Sequence, residues 1–289
     1  MVVVYIAAGL ANKMFQYAFS CGLKKSGLDV YLDQTSFQPE WSFEDVSLKE
    51  VFPNIDIKNA PEGLFRFVYK KDLLSRIYRR ISIFFPDNRY VMEKPFTYDK
   101  AIHEKATRNC IFCGLWQTDL YFKSCEDEVR ANFAFSPFED LRNIQLAEEM
   151  RNENSVAIHV RKGPDYIVRE IWDGTCSVDY YLQAINYIKA HVANPVFYLF
   201  TDNPVWVKEN IKNLDYKLVD WNPVSGKQSF RDMQLMACAK HNIIANSTYS
   251  WWGAWLNSNP QKIVIAPKTW FNPKIEKAPY IVPKKWIRL

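Results

Sequence analysis

Apolar residues along this chain follow two rhythms. Short β-branched runs, which read as buried strands, alternate with longer stretches in which apolar positions recur every three or four residues and read as helices. Residues 2–6 (VVVYI) are such a run, 7–11 a small-residue turn, and 12–25 a helix carrying Met14, Phe15, Ala18 and Leu23 inward; the next strand, 30–32, ends in Asp33. A strand at 111–116 and a helix at 120–133 follow. From residue 155 the alternation is regular, with strands at 155–160, 196–200, 217–219, 242–245 and 263–266 and helices at 178–191, 205–213 and 232–238. A polar turn, 246–250, leads into a last, Trp-rich helix. Strands and helices in turn predict parallel sheets with helices on both faces. The fold class expected is therefore α/β, with two Rossmann-like lobes whose parallel sheets face each other across a cleft. The charged segment 137–154, ending in a helix over 146–151, sets the expected division into lobes 1–154 and 155–289.

Residues 34–63 and 86–108 break the rhythm and read as irregular. Between them, residues 64–85 set Arg66, Lys70, Lys71, Arg76, Arg79 and Arg80 against a single acid, Asp72. Leu73, Ile77, Ile81 and Phe84 share one helical face and the arginines another, the pattern of a basic amphipathic helix. Such a helix can lie on an anionic membrane, or its apolar face can pack on the first lobe and leave the arginines solvated.

At 289 residues the chain sits near the size at which one core stops growing, which favours two lobes. No apolar run approaches the roughly 18 residues of a membrane span. The apolar amino terminus has no basic region ahead of it and reads as a strand, not a signal peptide. The expected location is the cytoplasm, at the inner membrane surface if 64–85 lies on lipid and free of it if that helix packs on the first lobe. Of six cysteines, only Cys110 and Cys113 form a C-x-x-C pair, and no second pair or histidine set completes a zinc site. Structural thiols in a reducing compartment are expected. The net charge, 37 − 32 = +5, favours polyanionic ligands. No arginine-rich tail or recognition helix accompanies it, so nucleic acid is not an expected partner.

Candidate chemistry sits at the carboxyl ends of the strands, the edge where open α/β sheets bind ligands. Strand 155–160 ends in His159 and Arg161, followed by Gly163, Asp165 and Tyr166. An arginine there offers a planar fork to two phosphate oxygens, or forms a structural salt bridge. Strand 196–200 ends in Thr201, Asp202 and Asn203. Asp232 opens the helix before the polar turn, and a carboxylate can accept paired hydrogen bonds from the ring N–H and amino group of guanine. The turn sets Asn246, Ser247, Thr248 and Ser250 beside free backbone N–H groups at a helix start, a phosphate-sized site; an N-cap on a buried helix is the plainer reading. In the first lobe the small-residue loop at Gly9, followed by Asn12 and Gln16, occupies the equivalent edge. Trp251 and Trp252 read as core or as sugar-stacking rings. No D-x-D sequence occurs, so a metal held by such carboxylates is disfavoured, and a diphosphate would be neutralised by arginine, hydroxyls and helix ends.

The segments GLANKMFQYA (9–18), HVRKGPDY (159–166), FTDN (200–203), and DMQLM with HNIIANSTYSWWGAWL (within 232–256) resemble the bacterial α-1,2-fucosyltransferases of glycosyltransferase family 11. The likeness runs the length of the chain, through GLWQTDLYF (114–122) and DGTCSVDYY (173–181), and 232–256 is its most specific part. It implies a GT-B fold and inverting transfer of fucose from GDP-fucose, with no metal or other cofactor, to the 2-hydroxyl of a galactoside in a surface glycan or oligosaccharide. It further implies that Arg161 binds the diphosphate, Asp232 reads guanine and Ser250 binds phosphate. His159, Asp202, Asn246, Ser247 and Thr248 would complete the donor site, with Gly9, Asn12 and Gln16 near donor or acceptor. Three departures stand out: Ala8 and Ala11 occupy positions where the family has glycines, Lys13 one where it has glutamine, and Pro164 lengthens the run before Asp165.

The mechanism expected is a direct displacement at the anomeric carbon. Arg161 and the 247–250 helix start would stabilise charge on the leaving phosphate. Asp165 is the candidate base, a role that contributes about 10²–10⁴-fold; an aspartate so placed can instead orient the arginine. A sugar-nucleotide or glycan-binding protein without catalysis, and a fucosyltransferase with a protein acceptor, remain alternative readings.

Overall fold

The computed structural model describes residues 1–34, 46–61, 72–84, 90–106, 109–172 and 174–289. The chain divides into two compact units, Met1–Ala134 with Pro279–Ile281, and Phe135–Ala278 with Val282–Leu289.

The first unit comprises β1 (Val2–Tyr5), α1 (Leu10–Lys25), β2 (Val30–Asp33), α2 (Leu48–Val51), α3 (Leu73–Ile81), β3 (Tyr90–Met92), β4 (Cys110–Cys113) and α4 (Glu126–Asn132). Among the described residues its parallel strands lie in the order β2-β1-β4-β3. β1 pairs with β2 from Val2–Val30 to Tyr5–Asp33 and with β4 from Val2–Cys110 to Val4–Phe112. Val2, Val3 and Val4 are all buried, as a central strand covered on both faces requires. α1 is buried along most of its length, and its Phe19 stacks on Trp116 with ring centres 4.0 Å apart.

The second unit runs through α5 (Leu141–Asn152), β5 (Ser155–Val160), α6 (Pro164–Ile167), α7 (Val178–His191), β6 (Val196–Thr201), α8 (Pro204–Asn210), β7 (Tyr216–Val219), α9 (Arg231–Cys238), β8 (His241–Ile243), α10 (Thr248–Leu256), β9 (Val264–Ala266) and β10 (Ile287–Arg288). Its strands, again all parallel, lie in the order β10-β9-β8-β5-β6-β7. Val156, Ile158, Tyr181, Ile188, Leu199 and Val207 from β5, α7, β6 and α8 share one buried core. The chain moves outward from β5 to β7 and then returns to lay β8 on the other side of β5. The carboxyl ends of β5 and β8 therefore flank a topological switch point, where such sheets take ligands. In the first unit the corresponding point lies between β1 and β4.

The division between units falls earlier than the charge pattern suggests. α5 packs against β5 and α9, its cap Asp140 accepts from Asn143 N at 2.8 Å, and Asn143 bonds Asn222 and Trp221. Its charged outer face is what makes it read as a linker. The expected helix 120–133 is broken into two 3-10 turns, Asp119–Tyr121 and Lys123–Cys125, ahead of α4. β3 and β10 leave no mark in the apolar pattern because they are short edge strands, only partly buried, whereas the equally short β8 and β9 are buried throughout. The expected strand 111–116 stops at Cys113: the N–H groups of Leu115 and Trp116 turn to the Glu93 carboxylate, and Trp116 takes a φ of 56°. Cys110 and Cys113 are buried, and their spacing along β4 turns them to opposite faces. Among the described residues no helix is long and apolar enough to cross a membrane.

Ala8 is buried with a φ of 70°. The left-handed region costs an alanine about 1–2 kcal/mol, more than the chain entropy a glycine forfeits. Ala8→Gly is expected to stabilise the protein by roughly 0.5–1 kcal/mol, a rise of about 1–3 °C in Tm. A lower Tm in thermal denaturation would contradict this.

Candidate functional site

β5 ends at Val160, and Arg161 follows with 34% of its side chain exposed. The register that pairs Val160 with Thr201 brings Asp202 alongside it. Arg161 Nη1 donates to Asp202 Oδ2, and the other carboxylate oxygen accepts from Lys162 N at 2.7 Å. Asn203 ties the same two loops together: its Nδ2 donates to Lys162 O at 2.8 Å and its Oδ1 accepts from Trp206 N at 3.0 Å, capping α8. Asp202, expected on the donor, thus pairs with Arg161, the salt bridge that is the alternative for an arginine at this strand end, and holds one edge of its guanidinium.

His159 is 7% exposed, and its Nδ1 meets no hydrogen-bond partner among the described residues. Burial, opposed by the Asp202 charge and helped by Arg161, pushes its pKa down to about 4, so the ring is neutral at pH 7. An orphaned buried nitrogen costs about 1–3 kcal/mol and marks a place that a ligand or water completes. Its ring centre lies 5.9 Å from that of Tyr249, in the first turn of α10.

The N-cap of α10, Ser247, makes no side-chain hydrogen bond to the helix, whereas Asp140, Ser177 and Asn203 cap α5, α7 and α8. Its first N–H groups lack intrahelical acceptors and carry the positive end of the helix dipole. Ser247 and Thr248 are half-buried there. Ser250, expected on phosphate, is fully buried and donates to the carbonyls of Ala245 at 3.4 Å and Ser247 at 3.2 Å. Asn246 is engaged as well: Nδ2 donates to Thr175 Oγ1 at 3.0 Å and Trp270 O at 2.8 Å, and Oδ1 accepts from the Tyr166 hydroxyl. These two side chains shape the turn from within the fold. Gly253 lets α10 approach α9, since a Cβ there would lie 2.9 Å from the Met236 Cβ. Trp251 and Trp252 are fully buried against Trp255, and Trp251 also meets Trp286; they are core, and the sugar-stacking reading falls.

Asp232 lies in the first turn of α9, where its Oδ1 accepts from Asn222 Nδ2 at 2.8 Å. Burial raises its pKa to about 7 against the lowering effect of that hydrogen bond. Asn222 and Asn143 exchange hydrogen bonds of 2.8 and 3.2 Å, and Trp221 Nε1 donates to Asn143 Oδ1 at 3.0 Å. The pattern reading misses Asn143, Trp221 and Asn222; their one signal is the polar-aromatic run DWNP (220–223) just past β7. Tyr249 links this turn to α10, its hydroxyl accepting from Met233 N at 2.8 Å and donating to Ser229 O at 2.7 Å.

Asp165 lies in α6, and its side chain is outside the described residues. In the first unit, Gln16 is buried and bridges two loops, accepting from Ala7 N at 2.8 Å and donating to Gly114 O at 3.0 Å. Asn12 Oδ1 accepts from Gln117 Nε2 at 2.8 Å. Both residues therefore hold together the loops that follow β1 and β4. Gly9 has a φ of −68° and open space where a Cβ would stand, so the backbone demand falls on Ala8 instead. Glu93, also missed, accepts from Leu115 N at 2.6 Å and Trp116 N at 2.9 Å, and burial raises its pKa to about 7. Among the described residues, no three His, Cys, Asp or Glu side chains cluster to hold a metal.

The NodZ alpha-1,6-fucosyltransferase of Bradyrhizobium, in a crystal soaked with GDP-fucose, matches 91% of this chain and 94% of its own, with a TM-score of 0.53 and 16% identity. That likeness shows a glycosyltransferase fold of the GT-B type, in keeping with the two parallel α/β units. The model of glycosyl transferase family 11 matches residues 88–289. Two Escherichia coli proteins are each 30% identical: an alpha-1,2-colitosyltransferase, over 100% of this chain and 99% of its own length, and the O-antigen biosynthesis glycosyltransferase WbnK, over 92% and 93%. The chain belongs to glycosyltransferase family 11.

Proposed function

We propose that this protein transfers L-fucose from GDP-fucose to the 2-hydroxyl of a galactoside in a surface glycan, with inversion and without metal. The observation that carries the reading is Arg161, paired with Asp202 directly after β5, together with the helix start that follows the neighbouring strand β8, where the N-cap Ser247 makes no side-chain hydrogen bond. This pairing suits a diphosphate, and the carboxylate of Asp232 suits the donor edge of guanine. As the bond from the anomeric carbon to the phosphate oxygen breaks, Arg161 and the α10 N–H groups hold the charge that develops on GDP. Removing one such preorganised donor typically costs about 10²–10³-fold. The acceptor hydroxyl attacks the opposite face and releases its proton, with Asp165 as the candidate to take it. Six cysteines, five of them buried, suit a reducing cytoplasm as the location.

A second reading rests on the full-length match to a colitosyltransferase: the same site would take GDP-colitose, whose sugar is fucose without its 3-hydroxyl. The two are separated by offering each donor to a panel of galactosides in excess EDTA and reading product mass and linkage. Fucose in α-1,2 linkage, at a rate unchanged by chelator, is expected. Turnover of GDP-colitose alone would reassign the donor. Activity lost to EDTA and restored by Mn²⁺ would overturn metal independence, and donor binding without turnover on any acceptor would leave a binding protein.

A further inference from the structure

We propose that α3 docks the protein on an anionic lipid surface, whichever sugar it transfers. α3 is nine residues long, and its cap Asp72 accepts from Ser75 N at 2.8 Å. At about 3.6 residues per turn its side chains, with those of the 3-10 turn Ser82–Phe84, fall on three strips. Ser75, Tyr78 and Ser82 face the unit. Both serines are buried, Tyr78 packs on Val3, Ala60, Ile111 and Cys113, and Ser82 Oγ accepts from Tyr90 N at 3.4 Å.

The second strip is Leu73, Leu74, Ile77 and Ile81, which are 70%, 78%, 45% and 42% exposed, extended by Phe84 at 78%. The third is Arg76, Arg79 and Arg80, of which Arg76 and Arg80 are exposed. The helix is thus seated through its small, polar strip and turns its apolar strip to solvent. This closes the reading in which Leu73, Ile77, Ile81 and Phe84 pack on the first unit. Arg66, Lys70 and Lys71 lie outside the described residues and do not enter.

Charge decides what covers the face. An apolar strip beside an arginine strip can lie in the headgroup plane, with aliphatic and aromatic side chains in the acyl boundary and guanidinium groups on lipid phosphates. A second copy would bring arginines against arginines, and the net charge of +5 works against it as well. Nucleic acid would satisfy the arginines and leave the apolar strip in water.

Co-sedimentation of the full chain with vesicles tests the proposal. Binding is expected to vesicles of phosphatidylglycerol and phosphatidylethanolamine but not of phosphatidylcholine, and is expected to weaken as salt is added. Arg76→Gln with Arg80→Gln should lower affinity roughly 25-fold, about fivefold for each charge. Leu74→Ser with Ile77→Ser, at exposed positions that leave the core intact, should weaken binding at every salt concentration. No binding to phosphatidylglycerol, equal binding to phosphatidylcholine, or binding unmoved by both pairs of substitutions would overturn the proposal. So would a concentration-dependent dimer, seen by sedimentation, that Leu74→Ser with Ile77→Ser abolishes, since that would assign the face to a second copy.

Discussion

Arg161→Ala is expected to lower sugar transfer by about 10²–10³-fold or more, with the fold retained. The side chain is one-third exposed, so its removal opens no cavity, and Asp202 keeps its hydrogen bond from Lys162 N. What is lost is the guanidinium that Asp202 holds at the carboxyl end of β5. Arg161→Lys should recover little, because an ammonium is a point charge and cannot offer two parallel N–H groups to a diphosphate. The test compares kcat/KM for the two variants with thermal melts as the control for folding. Near wild-type turnover by the lysine variant would place the leaving group's charge on other residues.

Asp232→Asn is expected to weaken GDP-fucose binding by an order of magnitude or more, and also to remove a pH dependence. Guanine presents two donors, which a carboxylate accepts and a carboxamide NH₂ group opposes. Burial holds the Asp232 pKa at about 7 in the free protein, so near neutral pH part of the population carries a proton on the carboxyl. The sign follows from which form binds. Guanine needs the carboxylate, so affinity should fall below pH 7, by up to about tenfold per pH unit, and level off above it. His159, with a pKa near 4, stays neutral throughout that window, and the diphosphate diester of GDP-fucose does not titrate in it. Calorimetry from about pH 5.5 to 8 should give a sloping curve for the wild type and a flat one for Asp232→Asn. Equal affinity, or an equal slope in the variant, would move guanine recognition elsewhere.

Both parallel sheets are legible in the sequence because strands covered on two faces read as unbroken β-branched or apolar runs, as VVVYI and SVAIHV do. The strand ends then point to Arg161, Asp232 and the 246–250 turn, since polar residues directly after such runs fall at one edge of the sheet. Periodicity does not say which way a polar side chain turns once it is there. Asn246 and Ser250 spend their hydrogen bonds inside the fold, Asp202 turns to Arg161, and Gln16 bridges two loops. Asn222 escapes because its partner, Asn143, lies far away in the sequence and neither belongs to a repeating pattern. α3 shows the same limit for apolar residues: the spacing gives the face, and only the packing of Tyr78 shows that this face points outward.

The donor site is tested most directly by a crystal structure of the protein with GDP-fucose bound. The guanine edge should meet the Asp232 carboxylate, with diphosphate oxygens about 3 Å from the Arg161 guanidinium and from N–H groups in the first turn of α10. A nucleotide held instead at the loops that follow β1 and β4, with Arg161 and α10 free of phosphate, would contradict it.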